Sequence, residues 1–329
     1  MRITHHFALA AGLLGATPLL PACAEPDAPE QLSIGFFGVS KTNAYAQGTF
    51  LGVQAAAKAD GATATFVDGE FDAQKQVQQV RDAIESRQFD IIVMQANDNL
   101  ALQAPLQEAV DAGLTVVVES FIVGPDLGTI EPQVDGAISV VGLPGTNGAV
   151  LAELGVAACA VVETKPCKVA YLEGFKWLTI DTVRTAAVKA GLATDGSIEL
   201  VASVEGGYTP ESGRAAFADV LQANPDVDVV IGSSQAITGA AEVAGDSDIH
   251  FIGNGASVAN VEAVRSGAWF AIYVYDTVAN GTKAAELGLA HAHGESVEFA
   301  VDIASLAPNS GKGTKAALDA VDYMGGYKD

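Results

Sequence analysis

The sequence predicts an α/β protein with two doubly wound parallel-sheet lobes. Short apolar segments alternate with longer helical segments along most of the chain. The apolar segments are nearly continuous, as in IIVM at 91–94, which is typical of strands covered by helices on both faces. The turn-forming segment GLPG at 142–145 interrupts the alternation, so we expect two sheets. A single (β/α)8 barrel is the structural alternative.

The first set of elements contains four predicted strands and three predicted helices. Gly61 and Gly113 follow two of these helices, at the position where a helix commonly ends. The segment 121–135 is expected to be irregular. The strands are predicted at 33–39, 63–68, 91–94 and 115–118, and the helices at 44–59, 73–87 and 100–112.

The second set begins after Gly145 and repeats the alternation. Pro210 is expected to open a helix, because proline is well suited to the first helical position. The strands are predicted at 168–172, 199–204, 227–231, 250–253, 269–275 and 297–303. The helices are predicted at 147–162, 181–190, 210–223, 236–244, 260–266 and 277–291.

Residues 1–24 are predicted to be an export signal. Arg2 precedes an apolar region at 7–20 that is too short for a membrane span. The segment LPAC at 20–23 resembles a lipobox, which would make Cys23 a lipidated N-terminus, and we favour this interpretation. The small-x-small pattern ACA at 22–24 leaves ordinary signal peptidase cleavage open. Residues 25–31 would then form a short tether.

The chain is strongly acidic, with 17 Lys and Arg against 40 Asp and Glu and a net charge of −23. Nucleic acid is therefore not expected as a partner, since phosphate binding requires clustered basic residues. The charge is best explained by solubility. The length of 329 residues suffices for two domains.

Two further cysteines, Cys159 and Cys167, lie near a predicted helix end and the next strand start. An oxidising compartment allows them to pair, and no histidine is close to either in sequence. We therefore expect a disulfide and not a metal or catalytic site. His291 and His293 have an H-x-H spacing at a predicted helix end, where capping is favoured over metal binding.

The segment at 33–49 indicates a binder and not an enzyme. An apolar strand there leads into a polar loop with Lys41, Asn43 and Tyr45, followed by a helix. The chain contains no G-x-S-x-G, no H-E-x-x-H and no glycine-rich phosphate loop. We therefore predict no catalytic residue and no cofactor.

Six segments carry a family resemblance. In chain order they are IGFFGVSKTNAYAQGT, QKQVQQVRDAIESRQFDIIVMQANDN, AGLTVVVES, VAYLEGFKWLTIDTVRTAAVKAG, ANPDVDVVIGSSQAITGA and IHFIGNGASVANVEAVRSGAWFAIYVYD. Together they resemble the periplasmic sugar-binding proteins of the ribose-binding type, called type I. The resemblance covers roughly residues 33–303.

The resemblance implies a chain that crosses between lobes three times through a hinge. The N-terminal lobe would comprise 32–142 plus 277–302, and the C-terminal lobe 143–276 plus 303–329. A small ligand would bind between the lobes, at the carboxyl ends of their strands, and hinge closure would trap it. The implied protein is a periplasmic monomer whose closed form an ABC permease recognises.

By the same resemblance, ligand contacts are expected from the loops of both lobes. Asn43 and Asp98 could instead cap helices, and Ser120 stands where the family has an arginine next to its acid. In the first lobe the candidates are Lys41, Asn43, Tyr45, Asn97, Asp98 and Glu119.

In the second lobe the candidates are Phe175, Trp177, Gln235, Asn254 and Tyr275. Trp177 could stack on a ligand ring or pack between the lobes. Arg184 matches a later arginine of its motif, so the resemblance assigns it no contact. Because charged family positions are here neutral, small or aromatic, we expect a ligand more apolar or poorer in hydroxyls than ribose.

The leading interpretation is a solute-binding receptor for an ABC importer. A sensory receptor that presents the ligand to a membrane signalling protein would have the same fold. A secreted hydrolase is the alternative of another class, and the chain contains none of the motifs named above. A transcriptional repressor core shares this architecture, but an export signal stands where its DNA-binding module would be.

Overall fold

The computed structural model describes residues 1–6 and 31–328. The apolar part of the predicted signal, its cleavage site and Cys23 lie outside the described residues. The strands are β1 Ser33–Gly38, β2 Thr63–Asp68, β3 Ile91–Met94, β4 Thr115–Ser120, β5 Ile138–Val141, β6 Cys167–Glu173, β7 Ile198–Glu205, β8 Val229–Ser233, β9 His250–Asn254, β10 Ala271–Tyr273, β11 Ala300–Asp302 and β12 Lys312–Thr314. The helices are α1 Ala44–Asp60, α2 Ala73–Ser86, α3 Gln103–Asp111, α4 Pro144–Val161, α5 Thr179–Leu192, α6 Pro210–Ala223, α7 Ser234–Ala244, α8 Val258–Ser266, α9 Thr277–Ala292 and α10 Lys315–Ala320.

The strands form two six-stranded sheets with the same plan. The first has the order β11-β5-β4-β3-β1-β2, and all its pairs are parallel. The second has the order β12-β10-β9-β8-β6-β7, with β12 antiparallel at the edge. In each sheet the order reverses beside the first strand, which opens a crevice at the carboxyl ends of the strands.

The chain passes between the two sheets three times, after β5, after β10 and after β11. Each sheet has buried apolar clusters on both faces, as expected for doubly wound lobes. The predicted fold class is therefore confirmed. Two strands, β5 and β12, were absent from the sequence-based expectation.

Helices α1 and α9 pack closely on the first sheet, beside the crevice. A Cβ atom at Gly52 would lie 2.1 Å from the Val278 carbonyl oxygen, and one at Gly281 would lie 2.0 Å from the Thr49 carbonyl oxygen. Only glycine permits these backbones to approach so closely. The N-terminal end of α1, which carries Tyr45, is thereby held against the sheet.

The expected disulfide between Cys159 and Cys167 is present, with a Cα–Cα distance of 5.7 Å. Cys159 lies in the last turn of α4 and Cys167 is the first residue of β6. The bridge therefore lies at the amino end of the second sheet, opposite the crevice. Among the described residues, no helix is long and apolar enough to cross a membrane.

Replacing both Cys159 and Cys167 with serine is expected to lower the free energy of unfolding by about 2–3 kcal/mol, because a short loop is no longer closed in the unfolded chain. Urea denaturation of the oxidised protein and the variant measures this change. Ligand affinity should remain the same, since β6 separates the bridge from the crevice by about 20 Å. A loss of affinity with unchanged stability would contradict this placement.

Candidate functional site

A cavity lies where the carboxyl ends of the two sheets meet. Its volume is about 80 Å³, counted as the space open to the centre of a water molecule. This space holds several water molecules, which is the scale of a small solute. Its aromatic lining residues are Tyr45, Phe71, Phe121, Phe175, Trp177, Tyr208 and Tyr275. The others are Val39, Asn43, Ala96, Asn97, Leu178, Ile180, Arg184, Gln235 and Asn254.

The first wall of the cavity is built around Tyr45, in the first turn of α1. Asn43 caps this helix by accepting a hydrogen bond from the Ala46 amide at 3.0 Å, and it also lines the cavity. The Tyr45 ring stacks on Phe121 with centroids 6.0 Å apart and meets Tyr275 edge-on at 5.8 Å. Tyr275 follows β10, so this pair connects the two sheets of the fold.

The second wall is a group of three aromatic rings that follow β6 and β7. Phe175 stacks on Trp177 with centroids 5.3 Å apart and meets Tyr208 edge-on at 5.2 Å. Trp177 is 61% exposed and Phe71, from the loop after β2, is 41% exposed. These two rings therefore lie at the opening of the cavity, where a ligand can contact them.

Arg184 supplies the cation of the cavity lining, from within α5. Its guanidinium forms a buried ion pair with Asp181 and donates to the Tyr208 hydroxyl at 3.1 Å. Asp181 also accepts from the Tyr208 hydroxyl at 2.6 Å and from the Phe175 amide at 2.8 Å. The carboxylate thus holds both the cation and the loop that carries the second wall.

A pair of asparagines extends this polar network across the second sheet. Arg184 Nε donates to Asn147 Oδ1 at 2.5 Å, and Asn147 Nδ2 donates to Asn254 Oδ1 at 3.0 Å. Asn254 ends β9 and lines the cavity. The arrangement fixes an amide and a guanidinium in one wall, and both can bind ligand oxygen atoms.

Eight of the predicted contacts line the cavity. They are Asn43, Tyr45, Asn97, Phe175, Trp177, Gln235, Asn254 and Tyr275. Lys41 and Asp98 do not. Lys41 is exposed, with Nζ 5.6 Å from the centroid of the Phe66 ring. Asp98 accepts from the Leu100 and Ala101 amides at 2.8 and 2.7 Å in the turn before α3, and it does not cap that helix, whose N-cap residue is Leu102.

Glu119 is also outside the cavity lining, because it points to the other side of β4. It shares the face of Val117, which packs beneath α1 and α9, and its side chain is fully buried. Ser120 then adopts a positive φ of 61°, and the Phe121 amide donates to the Glu119 carbonyl at 2.7 Å across it. This tight turn directs Phe121 to the cavity and keeps Glu119 behind it.

Burial raises the pKa of Glu119 from 4.5 to about 7. The Ser120 hydroxyl, which donates to Glu119 Oε1 at 2.5 Å, and the Gln95 amide oppose part of this rise. Glu119 Oε2 has no hydrogen-bond partner within the part of the chain that the structure describes. The carboxyl is therefore close to its titration point at neutral pH.

Sequence reasoning missed four lining residues with a clear structural role: Phe71, Phe121, Arg184 and Tyr208. Three of them follow predicted strands directly, so the carboxyl-end rule could have found them. Arg184 gave a weaker signal, because it lies one turn inside a helix and its partner Asp181 precedes it by three residues. Arg184, to which the resemblance assigned no contact, lies in the cavity wall.

The two histidines lie at the amino end of the first sheet. His291 Nδ1 is 3.3 Å from Thr115 Oγ1, and His293 Nε2 is 3.0 Å from Asp60 Oδ1. Among the described residues, no cluster of three or more His, Cys, Asp or Glu side chains is arranged to hold a metal ion.

Two doubly wound lobes with a cavity at the carboxyl ends of both sheets define a two-lobed binding protein. Residues 34–296 match the periplasmic binding protein domain, and the chain belongs to that family. This confirms the family resemblance drawn from the sequence. Membership in a family of binding proteins supports the prediction of a binder and not an enzyme. No curated protein sequence matches the chain significantly.

Solved structures share the fold over most of their length. An ABC transporter solute-binding protein from Mycobacterium smegmatis with bound glycerol is 21% identical, with a TM-score of 0.73 over 91% of this chain and 99% of that chain. A carbohydrate transporter solute-binding protein from Agrobacterium radiobacter in complex with D-arabinose is 19% identical, with a TM-score of 0.74 over 90% and 99%. A solute-binding protein from Bacillus halodurans with bound myo-inositol is 19% identical, with a TM-score of 0.70 over 84% and 94%.

Proposed function

We propose that this protein is a periplasmic solute-binding receptor that captures a small sugar-like or partly apolar ligand for an ABC importer. The observation that carries the proposal is the cavity itself. Aromatic walls from both lobes surround a few fixed polar groups, the usual composition of a small-molecule site. The ligands of the three similar structures are all polyhydroxylated, which agrees with this class of solute.

The proposed lobes are 32–142 plus 277–302 and 143–276 plus 303–329. The hinge would lie near Leu143, Tyr275 and Asp302, where the chain passes between the sheets. Closure would bring Tyr45 and Trp177 onto opposite faces of the ligand, and the permease would recognise the closed form. We expect the receptor to act as a monomer.

The wall chemistry indicates how the ligand is held. Rings such as Trp177 and Tyr45 can stack on the C–H faces of a sugar or polyol. Asn254, Gln235 and Arg184 can bind its hydroxyl groups. Because rings outnumber polar side chains in the lining, the ligand should present more apolar surface than ribose does.

A thermal-shift screen with glycerol, D-arabinose, ribose, myo-inositol and aromatic acids tests the function. A ligand that binds the folded state raises the free energy of unfolding by mass action, by about 2.7 kcal/mol at a hundredfold excess over its Kd, and the unfolding midpoint rises with it. Isothermal titration of each hit then gives its affinity. Sub-micromolar binding of ribose would contradict the expectation of a ligand more apolar than ribose. If none of these compounds raised the unfolding midpoint, the sugar-like class of ligand would be contradicted.

Truncating either clamp ring should weaken the best hit of that screen. We expect Tyr45→Ala and Trp177→Ala each to raise its Kd about tenfold or more, because a stacked ring is removed. Phe299→Ala is the matched control for Trp177→Ala, since Phe299 is likewise an exposed ring, at 42% against 61%, but does not line the cavity. Unchanged affinity in both clamp variants would show that the ligand binds elsewhere.

Attachment to the membrane is proposed through a lipid on Cys23. Labelling of the expressed chain with radioactive palmitate should mark the wild type and not Cys23→Ser. Equal release of both proteins into the soluble periplasmic fraction would contradict the tether and favour ordinary signal peptidase cleavage.

A further inference from the structure

A chain of hydrogen bonds connects the cavity to a carboxyl group buried behind it. The Tyr45 hydroxyl lies 2.7 Å from Ser120 Oγ, and Ser120 Oγ lies 2.5 Å from Glu119 Oε1. Tyr45 lines the cavity, whereas Glu119 is fully buried on the opposite side of the turn at Ser120. We propose that Glu119 is a positioning residue that sets, through Ser120, whether Tyr45 accepts or donates a hydrogen bond toward the ligand.

The proposal follows from counting protons along the chain. An ionised carboxylate only accepts, and a serine hydroxyl has one proton to give. When Glu119 is ionised, Ser120 donates to it, and Tyr45 must therefore donate to Ser120. The Tyr45 oxygen then presents only lone pairs to the cavity, so it accepts from a ligand hydroxyl or N–H group.

Protonation of Glu119 permits the opposite direction. The protonated carboxyl donates to Ser120 Oγ, Ser120 donates to the Tyr45 oxygen, and the Tyr45 proton becomes free to point into the cavity. Tyr45 then donates to a ligand acceptor. No heavy atom has to move, because the carboxyl takes up one proton from solvent and the two hydroxyl protons only reorient.

The other groups near Glu119 are uncharged side chains, so its protonation state is coupled mainly to the hydrogen bonds with Ser120 and Tyr45. Gln95 follows β3 and donates to Thr49 Oγ1 of α1 at 2.9 Å. Helix α9 runs antiparallel to β4 on the same face of the sheet, with Gly288 against Val117, so its buried Asn280 lies nearer the carboxyl end of the sheet than Gly288 does. Thr277 lies one turn before Asn280 on the same helix.

Tyr45 is the titratable end of the hydrogen-bond chain, and Tyr275, which follows β10, and Tyr327, in the C-terminal segment, act on its pKa. Burial raises the pKa of Tyr45 well above its usual value, and the nearby charge of Glu119 raises it further. The phenol therefore keeps its proton. Burial places the pKa of Glu119 at about 7. The carboxyl is therefore the group that changes state near neutral pH.

The first test needs no ligand and measures the titration of the Glu119 carboxyl carbon by NMR. In the wild type we expect a midpoint near 7. Ser120→Ala should raise it by about one pH unit, because a hydrogen bond to the charged form is lost. Ser120→Gly, which accepts the positive φ at this position, gives the same readout should the alanine variant not fold.

Tyr45→Phe should also raise the Glu119 midpoint, by about 0.3 unit, because Tyr45 no longer polarises the Ser120 hydroxyl. Tyr275→Phe is the matched control. It removes a hydroxyl from the same cavity that takes no part in the Tyr45–Ser120–Glu119 hydrogen bonds, and it should leave the Glu119 midpoint unchanged. A midpoint that is the same in Ser120→Ala, Tyr45→Phe and the wild type would overturn the proposal.

The consequence for binding rests on the proposed function and is tested separately, with D-arabinose as the probe. Its Kd in the wild type should change about threefold or more between pH 5.5 and pH 8.5, and should be flat in Tyr45→Phe and Glu119→Gln. A flat wild-type profile would overturn the coupling to the ligand. If D-arabinose does not bind at any pH, that result counts against a sugar-like ligand. The NMR titration then still decides whether the hydrogen-bond chain from Tyr45 to Glu119 is present.

Discussion

Replacing Arg184 with methionine is expected to lower the free energy of unfolding by about 3–5 kcal/mol and to abolish ligand capture. Asp181, which is only 2% exposed, would lose its ion-pair partner and remain a buried charge. Removing one member of a buried pair typically costs this much, mainly because the remaining charge is not compensated. Asn147 Oδ1 would also lose the shorter of its two hydrogen bonds and keep only the one from Asn254 Nδ2 at 3.3 Å. Urea denaturation and isothermal titration measure the two effects.

Two further variants test whether the expected loss of stability comes from the burial of the Arg184–Asp181 ion pair or from the loss of an ion pair as such. Arg214→Met breaks the pair with Glu242 on the surface, where both side chains are about half exposed, and should cost less than about 1 kcal/mol. Adding Asp181→Asn to Arg184→Met removes the uncompensated charge and should restore part of the stability but not the affinity. Equal costs for Arg184→Met and Arg214→Met would mean that the Arg184 pair is solvated in solution.

Strands could be predicted where an apolar run stands alone between turns. The expected ranges 63–68 and 91–94 agree with β2 and β3, and 210–223 agrees with α6, whose first residue is Pro210. Strand β12 has only three residues, KGT, and becomes a strand by pairing with β10, so it carries too little local pattern to be recognised from sequence. Strand β5 is as long as β3, but it lies between the irregular segment 121–135 and the turn-forming segment 142–145, and it pairs with β4 and β11.

The position of the site could be predicted, but the directions of its side chains could not. Asn43 and Trp177 line the cavity because they follow strands whose carboxyl ends meet there. Glu119 has the same location, yet the pleat of β4 and the turn at Ser120 bury it on the far face. Arg184 enters the cavity wall because Asp181 and Asn147 hold its guanidinium, and neither contact is visible in a linear motif.

Raising the pH from 4.5 to 8 is expected to destabilise the protein through Glu119, and Glu119→Gln should remove this loss. The folded state holds the Glu119 proton up to about pH 7, whereas the unfolded chain releases it near 4.5. Between these values the folded state binds more protons, so the free energy of unfolding falls as pH rises, and it levels off above pH 7. The rise in pKa from 4.5 to about 7 corresponds to about 3 kcal/mol at roughly 1.4 kcal/mol per unit.

Glutamine resembles the protonated carboxyl in shape and carries no charge at any pH. Glu119→Gln should therefore match the wild type near pH 4.5 and exceed its stability by about 3 kcal/mol at pH 8, measured by urea denaturation at both values. Glu163→Gln, at an exposed position after α4, should differ from the wild type by no more than about 0.5 kcal/mol at either pH. If Glu119→Gln and the wild type lost stability in parallel between these pH values, the carboxyl would already be charged in the folded protein at pH 4.5. A buried carboxyl in that state would need a cationic partner, and the two side chains that act on Glu119 through hydrogen bonds, Ser120 and Gln95, are uncharged.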